Sequence, residues 1–162
     1  MQTDGMWRCW GDLAEEDLGP ERMDFEQVKL AEGFACGRES SGAVQCWGAD
    51  WLGDLHAPRG TYKAITLGRV HGCALTPDNR VECWHIEGDS TLTDKYPAKF
   101  GQAEAPSGRF RTIDAGEYHT CGVRSSGDVE CWGLGTDVQN VKQDLEHSDF
   151  DQSVPPAALS DE

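Results

Sequence analysis

The sequence predicts an all-β protein assembled from small antiparallel sheets that repeat along the chain. The dipeptide Cys-Trp occurs four times, beginning at Cys9, Cys46, Cys83 and Cys131, and the last three copies each have another cysteine ten residues upstream. Residues typical of tight turns lie midway between the paired cysteines, and the flanking residues alternate between apolar and polar types. A recurrence of this kind is typical of repeat architectures, so each copy is interpreted as one sheet unit.

Three segments align without a gap and define the unit: VKLAEGFACGRESSGAVQCWG, ITLGRVHGCALTPDNRVECWH and IDAGEYHTCGVRSSGDVECWG. The first strand of each unit begins at an apolar residue, which is Val28, Ile65 or Ile113. The second strand contains the first cysteine, the turn is SSG, PDN or SSG, and the third strand ends in Cys-Trp. Consecutive Cys-Trp copies are 37, 37 and 48 residues apart, so the last interval contains an insertion.

The third strand of each unit has apolar residues on both of its faces. Side chains alternate across a strand, so Val129 and Cys131 point to one face while Glu130 and Trp132 point to the other. A sheet with bulky apolar groups on both faces is expected to pack between two neighbouring sheets rather than against a helix layer.

The cysteine spacing predicts a disulfide in each hairpin. If the third turn centres near Ser126, Cys121 and Cys131 are directly opposed, with Cα atoms roughly 4.5 to 5.5 Å apart, and this separation is within disulfide range. The same spacing pairs Cys36 with Cys46 and Cys73 with Cys83. Pairs of reduced, buried thiols are the alternative.

The redox state of these cysteines bears on the compartment. Disulfides indicate the periplasm, the cell surface or secretion, whereas reduced thiols indicate the cytoplasm. Cys9 is the odd cysteine, and its partner is expected upstream of Met1 or in another molecule.

Charge and hydropathy exclude two classes of partner. The 29 acidic and 14 basic residues give a formal net charge of -15, which repels phosphate backbones, so no nucleic-acid binding is expected. No apolar run approaches the roughly 18 residues of a membrane-spanning helix, so no membrane insertion is expected.

Taken together, these motifs resemble the regulator of chromosome condensation repeat family. The resemblance rests on the Gly-x-x-His of GRVHGC and GEYHTC and on the Val-x-Cys-Trp that ends each unit. Weaker echoes of a further family element are WGDLAEEDLG and WGADWLGDLH. The sequence departs from the pattern at Ala31, Phe34 and His85, and the Gly-Gln-Leu-Gly element of the third unit is expected to be missing behind the insertion.

The resemblance implies a partial β-propeller arc with three full hairpin units, or blades, and part of a fourth. The predicted segments are a partial first blade and connection at 1–24, a blade at 25–62, a blade at 63–108 with an insertion at about 86–108, a blade at 109–135, and an irregular acidic tail or linker at 136–162. An open arc leaves two apolar blade faces in water. The chain is therefore expected to be a fragment of a longer propeller or to associate with another chain, including a copy of itself.

The sequence contains no catalytic motif, and neither a cofactor nor a metal site is predicted. No nucleophile elbow, zinc-protease motif or phosphate-binding loop is present. His71 and His119 occupy equivalent repeat positions, which favours a structural role. An enzyme with a site at the axial end of the propeller, acting as a hydrolase or lyase, is the less favoured hypothesis.

The function predicted is a non-catalytic protein-binding module that presents loops on the propeller scaffold, with a protein partner that the sequence does not identify. Loop aromatics on a rigid scaffold are common anchors in protein interfaces. The candidate binding residues are Trp51 and Leu52 in one connecting loop, and Tyr96 and Phe100 in the insertion. The alternative function is an assembly arc that completes a ring with another chain.

Overall fold

The structure is a computed structural model that describes residues 24–48, 57–86 and 101–133. In these ranges the chain forms three antiparallel sheets of three strands each. The first sheet contains β1 (Phe25–Ala31), β2 (Phe34–Glu39) and β3 (Val44–Gly48); the second contains β4 (Ala64–Leu67), β5 (His71–Leu75) and β6 (Val81–His85); the third contains β7 (Phe110–Ala115), β8 (His119–Arg124) and β9 (Val129–Gly133). The sheets follow the predicted units, so the partial β-propeller expected from the sequence is confirmed.

The second and third strands of every sheet are joined by the same tight turn. Its third residue has a positive φ in each copy, at Gly42 (87°), Asn79 (71°) and Gly127 (109°). The amide of this residue donates a hydrogen bond to the carbonyl three residues earlier, at 2.9 to 3.0 Å in all three turns. Glycine and asparagine tolerate this left-handed conformation, which explains why the unit ends its turn with SSG or PDN.

The turn sets the register that brings the cysteines together. Cys36 is paired with Cys46, Cys73 with Cys83 and Cys121 with Cys131 across neighbouring strands, with Cα atoms 4.0 Å apart in each pair. The three S–S distances are 2.05, 2.13 and 2.09 Å, so each hairpin carries a disulfide and the predicted pairing is confirmed. Val123 and Val129 form the next cross-strand pair toward the turn.

The sheets pack face to face in a constant orientation. The face with the cysteines, here called the cysteine face, packs on the face of the next sheet that carries the tryptophan, here called the aromatic face. Between the first and second sheets, Cys36 and Phe34 pack with Ile65 and Trp84. Between the second and third sheets, the core contains Cys73, Leu75, Phe110 and Trp132. The predicted division of the third strand into two faces is confirmed.

An aromatic residue near the start of each sheet completes the aromatic face. Phe25, Tyr62 and Phe110 stand at equivalent positions and are at most 5% exposed. Phe25 stacks on Trp47 with ring centroids 5.3 Å apart, and Phe110 lies 5.8 Å from Trp132.

Side chains of one sheet satisfy backbone groups at the inner edge of the next. Strands β1, β4 and β7 are the innermost strands, and β4 contacts both of the others. The Gln27 side chain accepts from the Ile65 amide at 2.9 Å and donates to the Ile65 carbonyl at 3.2 Å. The Ala115 amide donates to Thr66 Oγ1 at 2.9 Å. Covering an open strand edge in this way removes unpaired backbone groups and fixes the spacing between sheets.

Part of the segment assigned to the insertion packs on the third sheet. Ala105 lies against the core between the second and third sheets, just as Ala57 lies against the preceding core. Gly101 and Gln102 precede Ala105, and Gln102 is fully buried. The Gly-Gln half of the element that the sequence analysis treats as missing is therefore present, and residues 101–108 contribute to the packing of the third unit.

The disulfide of the second sheet, Cys73–Cys83, and that of the third sheet, Cys121–Cys131, are expected to differ in their contribution to stability. Removing either by a double cysteine-to-alanine substitution frees a short loop in the unfolded state, which costs about 2–3 kcal/mol. Cys73→Ala/Cys83→Ala also removes packing at the core, where Cys73 is 0% exposed, whereas Cys121 and Cys131 are only half-buried. We therefore expect the first variant to lose at least about 1 kcal/mol more of the free energy of unfolding. Urea unfolding without reductant at neutral pH measures the free energy of unfolding of both variants. Equal losses would contradict the greater packing role assigned to Cys73.

Candidate functional site

The turns between the first and second strands of the three sheets surround one depression. Small residues line much of it, namely Ala31, Gly68, Ala115 and Gly116, together with Leu67. Its volume is about 240 Å³, and it opens at the end of the axis between β1, β4 and β7. We call this depression and its rim the axial mouth.

Three charged residues at equivalent repeat positions form the rim of the axial mouth. They are Glu32, Arg69 and Glu117. Glu32 directly follows β1, whereas one glycine separates Arg69 from β4 and Glu117 from β7. Arg69 Nη2 lies 3.1 Å from Glu32 Oε2, and the Arg69 amide donates to the Glu117 carbonyl at 2.8 Å. The rim thus carries two carboxylates and one guanidinium, which give it a net negative charge.

The repeated Gly-x-x-His motif builds the wall of the axial mouth. A Cβ atom on Gly68 would lie 2.2 Å from His71 Cε1, and one on Gly116 would lie 2.6 Å from His119 Cε1. The imidazole of each motif therefore folds back under its own turn, and only glycine leaves room for it. The amides of Gly68 and Gly116 also donate to the carbonyls of His71 and His119 at 2.9 Å, which closes each turn.

His71 joins the second sheet to the third. Its side chain is 0% exposed, and its Nε2 atom lies 2.8 Å from Thr120 Oγ1. Burial, together with the nearby His85 and His119, lowers the pKa of His71 to about 4. The imidazole is therefore neutral at neutral pH, and Gly68 separates it from the axial mouth. These contacts support the structural role that the repeat position indicates.

His119 occupies the equivalent place on the third sheet, where its environment is less enclosed. Its side chain is half-buried, and burial lowers its pKa below the usual value. The Thr120 hydroxyl next to it also lies 3.6 Å from Cys73 Sγ. The polar groups under the axial mouth thus connect the two sheets to each other.

The four predicted binding residues, Trp51, Leu52, Tyr96 and Phe100, lie outside the described residues. The ends of the segments that carry them are described. Gly48 at the end of β3 pairs with Phe34, and the Ile86 amide after β6 donates to the Val70 carbonyl at 3.0 Å. Both connecting segments therefore leave their sheets at the end where the axial mouth lies.

The rim residues are functional candidates that the sequence analysis does not single out. Glu32, Arg69 and Glu117 align in the three units, and all three carry a charge although their neighbours in the alignment are small or apolar. A charged residue at the same turn position of every repeat was the available signal. The sequence alone does not reveal that these turns meet around one axis.

Neither a metal centre nor a spanning helix occurs in the described part of the chain. Within residues 24–48, 57–86 and 101–133, no group of three or more His, Cys, Asp or Glu side chains could hold a metal ion. The same ranges contain no helix with the length and apolar character needed to cross a bilayer.

The low pKa of His71 predicts a loss of stability in mild acid. In the unfolded chain a histidine binds its proton below about pH 6.5, whereas folded His71 binds it only near pH 4. Between these values the unfolded state holds more protons, so the free energy of unfolding falls as the pH falls, by up to about 3 kcal/mol. The first sheet has phenylalanine, Phe34, at the position equivalent to His71. His71→Phe therefore introduces the residue type found there and removes this titration. Urea unfolding at pH 7 and pH 4.5 compares the two proteins; parallel losses in wild type and variant would refute the assignment.

One repeat of the chain matches a known family model. Residues 110–139 match the model described as the regulator of chromosome condensation (RCC1) repeat. Among curated proteins, no relative matches the chain.

Several solved structures resemble most of this chain in fold. The CRINKLY WD40 ectodomain of the Arabidopsis thaliana receptor kinase ACR4 is 28% identical, with a TM-score of 0.55 over 78% of this chain and 42% of that one. The ectodomain of the Physcomitrella patens receptor kinase CR4 is 22% identical, with a TM-score of 0.62 over 81% of this chain and 34% of that one. Yeast RCC1 (Prp20), solved bound to Kap60, is 17% identical, with a TM-score of 0.57 over 82% and 40%.

The chain spans less than half the length of these three proteins. The two likenesses below a quarter identity bear on the fold alone. The resemblance predicted from the sequence is confirmed: residues 110–139 carry a regulator of chromosome condensation repeat, and the described chain is a partial β-propeller.

Proposed function

We propose that this chain is a non-catalytic protein-recognition module whose contact surface is the axial mouth. The observation that carries the proposal is the convergence of three equivalent charged turns, at Glu32, Arg69 and Glu117, around one depression lined by small residues. Propellers related in fold include protein-interaction scaffolds, among them yeast RCC1, which was solved bound to Kap60.

The scaffold beneath the axial mouth is rigid, which favours binding through its turns. Each turn continues directly into a sheet whose hairpin is closed by a disulfide. Loops that are ordered before binding lose less conformational entropy when a partner docks, so more of the contact energy remains as affinity. The small residues that line the depression suit the site for a separate reason, because they leave room for a side chain of the partner.

The charge of the rim indicates the chemistry of the partner. Arg69 pairs with Glu32, and Glu117 adds a second carboxylate, so the described rim carries more negative than positive charge. The whole chain carries a net charge of -15, which attracts basic surfaces and repels acidic ones. We infer a protein partner that presents lysine or arginine side chains to the axial mouth, with an association rate that falls as salt rises.

Non-catalytic action is part of the proposal. The buried imidazole of His71 is separated from the axial mouth by Gly68, and the rim carboxylates of Glu32 and Glu117 are exposed to solvent. A site for general acid and base catalysis needs two groups with environments that separate their pKa values, together with a nucleophile or a polarising group. The described residues around the axial mouth supply no such combination.

We also infer an extracytoplasmic location, at the cell surface, in the periplasm or in the medium. Three disulfides in consecutive repeats are typical of proteins that fold in oxidising compartments. Two of the similar structures are receptor-kinase ectodomains.

Trp51, Leu52, Tyr96 and Phe100 remain proposed contact residues. The segments that contain them leave the sheets at the end of the axial mouth, next to Gly48 and Ile86. Aromatic anchors around a charged rim are the usual composition of a protein interface, with apolar contacts supplying affinity and charges supplying orientation.

Selection of peptides on the immobilised protein tests the charge complementarity. From a random displayed library, we expect the enriched peptides to be rich in lysine and arginine and to bind the wild type more tightly than the Glu32→Gln/Glu117→Gln variant, by about tenfold or more. The matched control is Glu39→Gln/Asp128→Asn, which also removes two carboxylates but does so beside the turns between second and third strands, at the end of the sheets opposite the axial mouth. Enriched peptides that bind the rim variant as tightly as the wild type would refute the axial mouth as the contact surface.

Trp51→Ala tests the loop contribution separately. Capture of a protein partner identified with the wild type should weaken by about 1–3 kcal/mol, because truncating an interface aromatic removes a large apolar contact. Biolayer interferometry measures the affinity, and the thermal unfolding midpoint should stay within about a degree of the wild type if Trp51 serves only binding. Unchanged capture would remove Trp51 from the proposed interface.

A further inference from the structure

The lysine and arginine residues of the described ranges differ in whether a carboxylate neutralises them. Five of these nine residues form an ion pair with an aspartate or glutamate. The other four form no ion pair with any residue of the described chain; they are Arg59, Lys63, Arg109 and Arg111. All four lie in two short stretches, 59–63 and 109–111, at the start of β4 and of β7. The unpaired positive charge is therefore concentrated on the second and third sheets.

The turn between β5 and β6 holds two of these cations in place. Lys63 Nζ donates to Asn79 Oδ1 at 2.5 Å, and Arg109 Nη1 donates to the Asp78 carbonyl at 3.0 Å. Both acceptors are neutral, so these contacts orient the side chains without cancelling their charge. Both side chains are exposed, and an ammonium or guanidinium group has further N–H donors for a ligand.

A β-bulge places Arg111 at the same end of the third sheet. Arg111 is the extra residue between Phe110 and Thr112, where the register of β7 against β8 shifts. A bulge re-aims the side chain of its extra residue relative to the two faces of the sheet. Arg111 Nη2 donates to the Ser125 carbonyl at 2.5 Å, which is again a neutral acceptor. The Ser125 amide donates to the Arg109 carbonyl at 2.8 Å, so both arginines lie beside the same turn.

The carboxylates of these two turns do not offset the positive charge. Asp78 pairs with Arg80 at 2.9 Å, and Asp128 accepts from the hydroxyl of a neighbouring serine at 2.6 Å. The cations beside the two turns outnumber these two carboxylates. We call this group of four cations the basic end, and it consists of Lys63, Arg80, Arg109 and Arg111.

The first sheet shows that the fold does not require a cation at this position. Glu26 is equivalent to Lys63 and Arg111, and it pairs with Arg38 of its own sheet. The second and third sheets reverse the sign of the charge and give the cation no carboxylate partner within the described chain. Packing of the unit therefore does not explain the basic end.

We propose that the basic end is a second contact surface, which binds an acidic peptide segment of another protein. Guanidinium groups form strong, geometrically specific hydrogen bonds with carboxylates, and the lysine ammonium adds a further point charge. The basic end lies at the ends of the sheets opposite the axial mouth and has the opposite charge. The two surfaces therefore suit different partners, and neither proposal depends on the other.

The properties of the whole chain favour an acidic peptide over a longer polyanion. The net charge of -15 repels nucleic acids and heavily sulfated polysaccharides, whereas a short acidic segment experiences less of this repulsion. Proteins that bind single-stranded nucleic acids stack bases on accessible aromatic rings. Tyr62 and Phe110, the aromatic residues next to the basic end in sequence, are 2% and 0% exposed and cannot stack in this way.

Binding of a defined acidic peptide to the full chain tests the proposal. The probe is a peptide of alternating glutamate and glycine with a neutral dye, and fluorescence anisotropy measures its affinity. We expect saturable binding that weakens as salt rises, because exposed charges are screened. Lys63→Gln/Arg111→Gln should weaken binding about fivefold or more, because two charge-assisted hydrogen bonds are lost. Lys63→Arg/Arg111→Lys keeps both charges and should retain most of the affinity.

The matched control compares Lys29→Gln with the single variant Lys63→Gln. Both substitutions remove one lysine charge, but Lys29 lies on β1 and pairs with Asp114 at 3.9 Å. Only Lys63→Gln should weaken binding of the acidic peptide. Circular dichroism tests whether each variant keeps the fold.

Three outcomes would overturn the proposal. The first is no binding of the acidic peptide, and the second is equal affinity for wild type and Lys63→Gln/Arg111→Gln. The third is tighter binding of single-stranded DNA or of a sulfated oligosaccharide of the same charge, with loss of that binding in the double variant. A peptide of alternating lysine and glycine tests the axial mouth in the same assay, so failure of either surface is recognised separately.

Discussion

The structure depends on the packing of each cysteine face onto the aromatic face of the next sheet. A three-stranded sheet of this size has too little core to be stable alone, and repeat proteins gain their stability from contacts between neighbours. Here Cys73 and Leu75 of the second sheet meet Phe110 and Trp132 of the third, and this contact sets the distance and the angle between the sheets. The positions of the turns that form the axial mouth follow from that geometry.

Covalent and non-covalent interactions have separate roles in this arrangement. Each of the three disulfides among the described residues lies within one hairpin, so it holds the second and third strands of a sheet in register but does not connect one sheet to another. Cohesion between sheets comes from apolar packing and from single polar contacts such as His71 with Thr120 and Gln27 with the Ile65 backbone. An acidic or partly denaturing environment is therefore expected to separate the sheets before it unfolds the hairpins.

Periodicity made the single sheet predictable, and the arrangement of sheets was harder to predict. The spacing of Cys121 and Cys131 around a turn determines their register, and the alternation of Glu130 and Trp132 with cysteine determines the faces. The rim of Glu32, Arg69 and Glu117 depends instead on turns 37 and 48 residues apart meeting at one axis, which no individual repeat encodes. Gln102 was missed because the insertion shifts the phase of the repeat just before it, so its buried position became evident only from packing.

Specificity in such a scaffold is carried by equivalent positions whose residues differ. The glycine of the Gly-x-x-His motif and the tryptophan of the third strand are needed for the packing of the unit, and changing either would disturb that packing. The rim position tolerates glutamate or arginine, because the side chain extends from a turn into solvent and the backbone geometry does not depend on it. Arg69 forms an ion pair with Glu32, and Glu117 adds a second carboxylate to the rim, so the three equivalent turns differ in charge. In the proposed binding mode, this difference in charge between nearly equivalent turns gives a partner one preferred orientation at an otherwise repetitive surface.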